Sequence, residues 1–439
     1  MTNTLAARRQ FLQMVAKGGA ALGVGGLASV LSRPSFAQAS IRGQEILHWS
    51  FLSPEGKSVR EVAMREIEAK FTERTGAKAK FQVFPWHELK TKLIAAVQAG
   101  TPPDNSRVDA IAMPMVVKAN ALTNLDPYIQ RDISDRDDYL MDFKPTALFG
   151  GSKYGMLLET AARGLMVRKD ILEKAGVKAP RSWAEFVEVG KAVTGAGRWG
   201  YMFGANKAQL GQTDFVFQSH IHGRGGRILQ ADGTGGFNDD GAVRTYQFLS
   251  DCVHKHKITP ATVISMSHDD VSDAFKAGRV AMYVEVSARY RDIQRAVGAE
   301  NLELVSIPSD DAGRASPTVV TGWSLGIPRG AKHPDASWEY TKHYTSPETE
   351  EINARMAGAL PSRKSVLAMP YFQTPEAAYM KWWLQYIAER GEANITTPWF
   401  TELNEIMVDA LHQVLLNASS PVKPVLDAAV ARYNQIART

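Results

Sequence analysis

Several side chains in this sequence stand at spacings that chemistry could use. His220-Ile221-His222 and His254-Lys255-His256 each place two imidazoles two residues apart, a spacing that converges on a metal only along a strand. Both pairs fall in segments that read as helix or loop, with no carboxylate at ligand spacing, so packed or solvated histidines are expected and no metal site. Gly195-Ala196-Gly197-Arg198-Trp199-Gly200 spells a dinucleotide-binding glycine pattern. That pattern works between a strand and a helix N-terminus facing a pyrophosphate. Here it follows a helix begun at Ser182, so it reads as a helix stop and a loop. The signatures of zinc proteases and of serine hydrolases are absent. No catalytic residue and no cofactor are expected.

The remaining candidates are aromatic, acidic and basic. Trp49, Trp86, Trp323 and Trp399 lie near turns, where an indole can stay partly exposed and pack on the C–H face of a sugar whose hydroxyls need paired donors and acceptors. Each could equally serve the core. Trp382 and Trp383, in a helical stretch with Tyr379 and Tyr386, read as packing. Glu159 stands in the apolar run from Tyr154 to Val167. A buried carboxylate is costly unless it is paired or binds something, which makes Glu159 a ligand candidate. Asp214 is a further acid near aromatics, and Arg163, Arg224 and Arg289 could meet an anionic solute.

Composition bounds the rest. At 439 residues, 44% hydrophobic and 22% charged, the chain is long enough for two or three packed cores. Cys252 is the single cysteine, which excludes a disulfide framework and any thiolate cluster. The formal charge of +5 suggests a nucleic-acid partner until it is located: Arg8, Arg9, Lys17 and Arg33 stand unopposed in residues 1–39, and the remainder is nearly neutral. No nucleic-acid partner is expected.

Residues 1–39 divide as an export signal does. Arg8-Arg9-Gln10-Phe11-Leu12-Gln13 resembles the twin-arginine motif, without the usual Ser or Thr before the pair or Lys at its end. The run from Gly18 to Leu31 is too short and glycine-rich to span a bilayer, and Ala37-Gln38-Ala39 predicts cleavage after Ala39. A periplasmic protein is expected.

The elements that must position these residues alternate. Glu45 to Ser50 predicts a strand. Ser58 and Glu61 form a capping box before a helix that stops at Thr75-Gly76. Lys78 to Phe84 predicts a strand, Glu88 to Ala99 a helix, and Val108 to Met113 a short buried strand. This is the doubly wound α/β order. The alternation restarts after the crossing at 154–167, with helices from Asp170 and, behind a second capping box, from Ser182. Residues 223–241 read as a loop or hairpin. Helices are predicted near 242–254 and 271–276, strands at 280–284, 302–308 and 323–328, and mainly helix from Ser337.

The order of segments resembles a family, the extracellular solute-binding proteins of ABC importers, in the carbohydrate-binding group of the maltose-binding protein family. The pieces are Phe71-Thr72-Glu73-Arg74-Thr75-Gly76, Gly100-Thr101-Pro102-Pro103-Asp104, Tyr154-Gly155-Met156, Ser182-Trp183-Ala184-Glu185-Phe186, Gly278-Arg279-Val280-Ala281-Met282, Thr321-Gly322-Trp323, and Gly358-Ala359-Leu360-Pro361-Ser362-Arg363. Each is weak alone, but their order is specific.

The resemblance implies an α/β, two-lobe periplasmic binding protein fold, each lobe a doubly wound sheet flanked by helices. Several hinge crossings would join the lobes, with the ligand held between them. Residues 40–157 with 304–358 would form the first lobe and 158–303 with 359–439 the second. It implies a receptor, not an enzyme, that captures a sugar or polyol and delivers it to the membrane permease subunits of an ABC transporter, acting as a monomer. By matching position, Glu159 is the acid past the first crossing, and Trp49 and Glu55 belong to the loop after the first strand. Trp86 lies after the second strand, Trp323 after a glycine pair whose first member is here Thr321, and Gly358 in the turn before the last crossing. Trp399 falls in the late segment. Arg289 stands where the family often has an aromatic. The alternatives are a receptor for an anionic solute such as a glycerol phosphate, and a periplasmic glycoside hydrolase using paired acids.

Overall fold

The structure, a computed structural model, describes residues 41–139, 151–207, 216–311 and 313–438. The leader and Asp214 lie outside the described residues. The chain divides into two compact units: one takes the chain up to Thr160 and Gly322–Glu389, the other Ala161–Thr321 and Arg390–Thr439. This differs from the division expected from the sequence. Residues 158–160 and 359–389 fall in the first unit and 304–321 in the second.

The first unit opens with strand β1 (Glu45–Ser50), helix α1 (Val59–Thr75), strand β2 (Lys78–Val83), helix α2 (Leu89–Gln98), strand β3 (Asn105–Asp109) and, after helix α3 (Met113–Lys118), strand β4 (Met156–Ala161). Helix α1 begins where Ser58 and Glu61 form the expected capping box, and it ends on Gly76 at φ 72. Its apolar residues Val59, Ala63, Met64, Ile67 and Phe71 are buried. Met64, Ile67 and Phe71 join Ile46, Leu158, Tyr340 and Tyr344 in one core, where a fully buried Phe contributes roughly 1.5–3 kcal/mol, while Val59 and Ala63 pack with Ala357.

β1 lies between β2 and β3 and is parallel to both, pairing Glu45 with Lys78 through Ser50 with Val83 on one side and His48 with Asn105 on the other. The third strand lies earlier than the apolar run 108–113 predicts, because Asn105 is buried by polar partners. Its side chain donates to Ser337 Oγ and Thr341 Oγ1, both at 3.0 Å, and its Oδ1 lies 2.9 Å from His48 Nδ1.

The second unit holds strand β5 (Arg163–Arg168), helices α4 (Lys169–Lys174) and α5 (Trp183–Val193), strand β6 (Trp199–Tyr201) and helices α6 (Asp240–His254) and α7 (His268–Lys276). Strand β7 (Val280–Val286), helix α8 (Tyr290–Val297) and strand β8 (Leu302–Val305) follow. The sheet order is β6-β7-β5-β8, with β5 antiparallel to β7 and β8. Ser182 caps α5 by accepting from the Glu185 amide. The Glu185 side chain turns instead to the Arg181 amide at 2.7 Å, so the second capping box is half formed. Residues 195–198 form a turn closed by the Gly195–Arg198 bridge, as expected for a helix stop, and residues 199–200 already belong to β6.

Strand β9 (Thr318–Gly326) carries the chain from the second unit into the first, where its end runs antiparallel to β3. Helices α9 (Pro334–Tyr344), α10 (Pro347–Ile352) and α11 (Ala378–Arg390) follow, then strand β10 (Gly391–Ala393) and helices α12 (Phe400–Leu416) and α13 (Val422–Ala437). β10, which the helical pattern hid, pairs with residues 318–320 of β9. Among the described residues no helix is long and apolar enough to cross a membrane.

Candidate ligand-binding site in the first unit

In sheets with parallel strands, ligands gather outside the carboxyl ends of the strands. At that edge of the first unit the chain places Phe51, one residue past β1, and Trp323, which pairs with Asp109 at the end of β3. Their ring centroids are 4.5 Å apart. Both rings are half-buried and pack on a cluster that contains Trp49, Leu89, Val108 and Met113. Trp49 itself is buried against Phe84, and its Nε1 has no partner.

Two guanidinium groups flank the Phe51 ring, Arg60 at 5.1 Å and Arg107 at 5.6 Å from its centroid. Arg60 occupies the second position of α1 and donates to the Glu159 carboxylate. A cation in the first turn opposes the helix dipole, and its carboxylate partner offsets that. Glu159 is thus buried and paired, as its place in an apolar run demanded.

Two glycines hold this arrangement. A Cβ on Gly322 would lie 2.1 Å from the Glu159 carbonyl oxygen, so only glycine lets β9 approach β4 there. Gly358, at φ 75, ends the turn after α10 and sends Leu360 to bridge Thr160, whose amide donates to the Leu360 carbonyl at 2.9 Å. It shapes the neighbourhood of Glu159 through the backbone.

Below Arg107 lies a polar core. Glu68 accepts from Tyr340 Oη and Tyr344 Oη, both at 2.5 Å. Burial pushes its carboxyl up to about 7 against the pull of these hydroxyls and of Arg107. Burial, with Arg107 nearby, pushes the His48 imidazole down to about 3.

The other expected residues are placed as follows. Glu55 is exposed and its amide donates to Ser53 Oγ at 3.2 Å. Trp86 is half-buried with its ring edge-on to His87. In the second unit Arg289 is half-buried and ion-paired with Asp269 at 2.5 Å. Burial would lower its affinity for the proton, but Glu285 and Asp269 raise it. Trp399 precedes α12, its amide donating to Thr397 Oγ1 at 3.2 Å. The structure therefore brings Glu159, Trp49 and Trp323 into one neighbourhood. Phe51, Arg60 and Arg107 join them without having been singled out. An arginine in a first turn and another inside the short strand Asn105–Asp109 were the available signals.

His220 is fully buried and stacked on Trp183 at 4.7 Å, and His222 lies 2.6 Å from Glu392. Both follow the packed reading. No group of three or more metal-ligating side chains occurs among the described residues.

The fold and this edge of the sheet define an α/β solute-binding protein. The family model for bacterial extracellular solute-binding proteins matches residues 66–380, and the chain belongs to that family. The family is one of exported solute receptors, not of enzymes. A protein of Brucella abortus (strain 2308) named as a binding protein is 25% identical over 360 residues, 81% of this chain and 85% of its own length.

Among solved structures, a solute-binding protein of Thermotoga lettingae bound with α-D-tagatose aligns with a TM-score of 0.79 at 21% identity, covering 90% of this chain and all 100% of that one. Maltose-bound MalE3 of T. maritima aligns with a TM-score of 0.79 at 22% identity, with 90% and 100% coverage. At these identities the structural likeness establishes the two-unit fold.

Proposed function

We propose that this chain is the periplasmic receptor of an ABC importer that captures a sugar or related polyol and hands it to the membrane permease subunits. The observation that carries this reading is the Phe51–Trp323 ring pair set beside the Arg60–Glu159 ion pair and Arg107. Aromatic planes pack on the C–H faces of a sugar, while its hydroxyls, once desolvated, need donors and acceptors of the kind the two arginines and the glutamate supply. The tagatose and maltose bound by the two aligned proteins support the same chemistry. The family assignment speaks against a glycoside hydrolase. On this reading the twin-arginine-like leader exports the chain, cleavage falls after Ala39, and the mature protein works as a monomer.

A melting-temperature screen of the mature chain against maltose, D-tagatose, ribitol and other mono- and oligosaccharides tests it. One or more should raise the midpoint by several degrees, since a ligand at about 100 times its Kd adds about 2.7 kcal/mol. A flat response across neutral sugars, polyols and sugar acids would overturn the reading.

A further inference from the structure

We propose that Arg107 sets which solutes this receptor accepts, by donating its guanidinium to two adjacent oxygen acceptors on the solute: vicinal hydroxyls of a sugar or polyol, or the carboxylate of a sugar acid. The inference rests on the sugar-receptor reading and goes beyond it by assigning the discriminating residue.

Arg107 sits in β3 with 4% of its surface exposed. A guanidinium carries five donors and no acceptor, and burying it unpartnered is unfavourable. Its Nε is buried without an acceptor. Glu159, Tyr344 and Tyr340 act on it electrostatically, without a hydrogen bond. The acids close enough to serve are committed elsewhere, Glu159 to Arg60 and Glu68 to the two tyrosine hydroxyls. What Arg107 does contact is the face of Phe51, the ring that packs at a tilt against Trp323. A buried donor fork thus lies beside the surface that receives the solute, and no hydrogen-bond acceptor among the described residues occupies it.

Such a fork matches two oxygens side by side. A site built to donate to an oxygen also rejects an analogue that lacks it far more strongly than an apolar pocket rejects a missing methylene.

The test uses the mature chain, with Arg107→Met, Arg107→Lys and Arg107→Ala, and titration calorimetry with maltose, D-tagatose, ribitol, D-gluconate and D-glucuronate, plus the deoxy analogue of each probe that binds. For a probe bound by the wild type, Arg107→Met should weaken binding at least about tenfold and erode discrimination against its deoxy analogue. Arg107→Lys should restore only part, because an ammonium is a point charge. Millimolar guanidinium chloride should restore binding to Arg107→Ala, an effect that a purely packing role would not produce.

Affinity that falls with salt identifies a carboxylate, and affinity indifferent to salt identifies a diol. Unchanged affinity and discrimination in a folded Arg107→Met protein overturn the assignment and leave the sugar reading standing. If the wild type binds no probe, the sugar reading falls and takes this assignment with it. Should Arg107→Met fail to fold, Arg107→Lys decides: wild-type affinity and discrimination there overturn the proposal.

Discussion

Arg60, in the first turn of α1, donates to the Glu159 carboxylate on β4, 99 residues further along the chain. The pair lets an acid sit in an apolar strand and fixes a charge beside the Phe51–Trp323 rings. Removing one partner of a buried pair leaves the other uncompensated, which typically costs 3–5 kcal/mol. Arg60→Ala should therefore lower stability by about that much in urea unfolding. Arg60→Met combined with Glu159→Gln should recover most of it, and an Arg60→Ala protein as stable as wild type would contradict the pairing.

Trp323 is expected to act on affinity more than on stability, since it is half-buried and packs at the rim of its cluster. An aromatic contact is worth about 0.5–1.5 kcal/mol beyond area burial. Trp323→Ala should weaken sugar binding by about tenfold or somewhat more, read by calorimetry, with a smaller effect for Trp323→Phe. Trp86, outside this ring pair, should change affinity less.

Glu68 gives the stability a pH dependence. In the folded chain burial holds its proton up to about 7, whereas an ordinary glutamate releases it near 4.5. The stability of the protonated form is thus fully present below 4.5 and is lost as pH rises to about 7, by up to roughly 3 kcal/mol. Glu68→Gln keeps an acceptor for Tyr340 and Tyr344 and does not ionise. Its stability relative to wild type should rise between pH 4.5 and 8. His48, lowered to about 3, acts in the opposite sense, withdrawing stability as pH falls below 6.5. It acts alike in both proteins and cancels from the difference. A pH-independent difference would show that Glu68 ionises normally.

Gly322 and Gly358 should respond to alanine for different reasons. Gly322→Ala forces a methyl onto the Glu159 backbone, a contact that must move β9 or β4 and should cost about 1–3 kcal/mol. Gly358→Ala places its side chain at φ 75, where a Cβ costs about 1–2 kcal/mol. Chemical denaturation of the two variants should show both losses. Sugar affinity should fall more for Gly322→Ala, whose shift falls on Glu159 itself.

Local signals resolved where local physics rules. The Ser58–Glu61 box, the Gly76 stop and the strand expected at Glu45 to Ser50 each follow from a few neighbouring residues, and the helix and first strand formed there. The third strand lies ahead of the apolar run 108–113 because hydrophobicity is only one route to burial. In Asn105–Asp109 burial is achieved instead by the hydrogen bonds of Asn105, whose side-chain amide donates to Ser337 and Thr341 and whose Oδ1 pairs with His48. Glu185 shows the same limit: its spacing from Ser182 is right for a box, but the Arg181 amide offers a competing donor.

The sequence by itself determined the α/β alternation, the need for Glu159 to have a partner, and, through the order of its segments, the solute-binding family. Which partner Glu159 takes, that Phe51 and not Trp86 lies beside Trp323, and that the buried Nε of Arg107 finds no acceptor among the described residues were decided by tertiary structure alone. The reason is that pairing across the sheet depends on register and crossover geometry. These join residues on β1, α1, β3, β4 and β9 that are far apart in the chain, and no spacing rule along the sequence encodes such a distance.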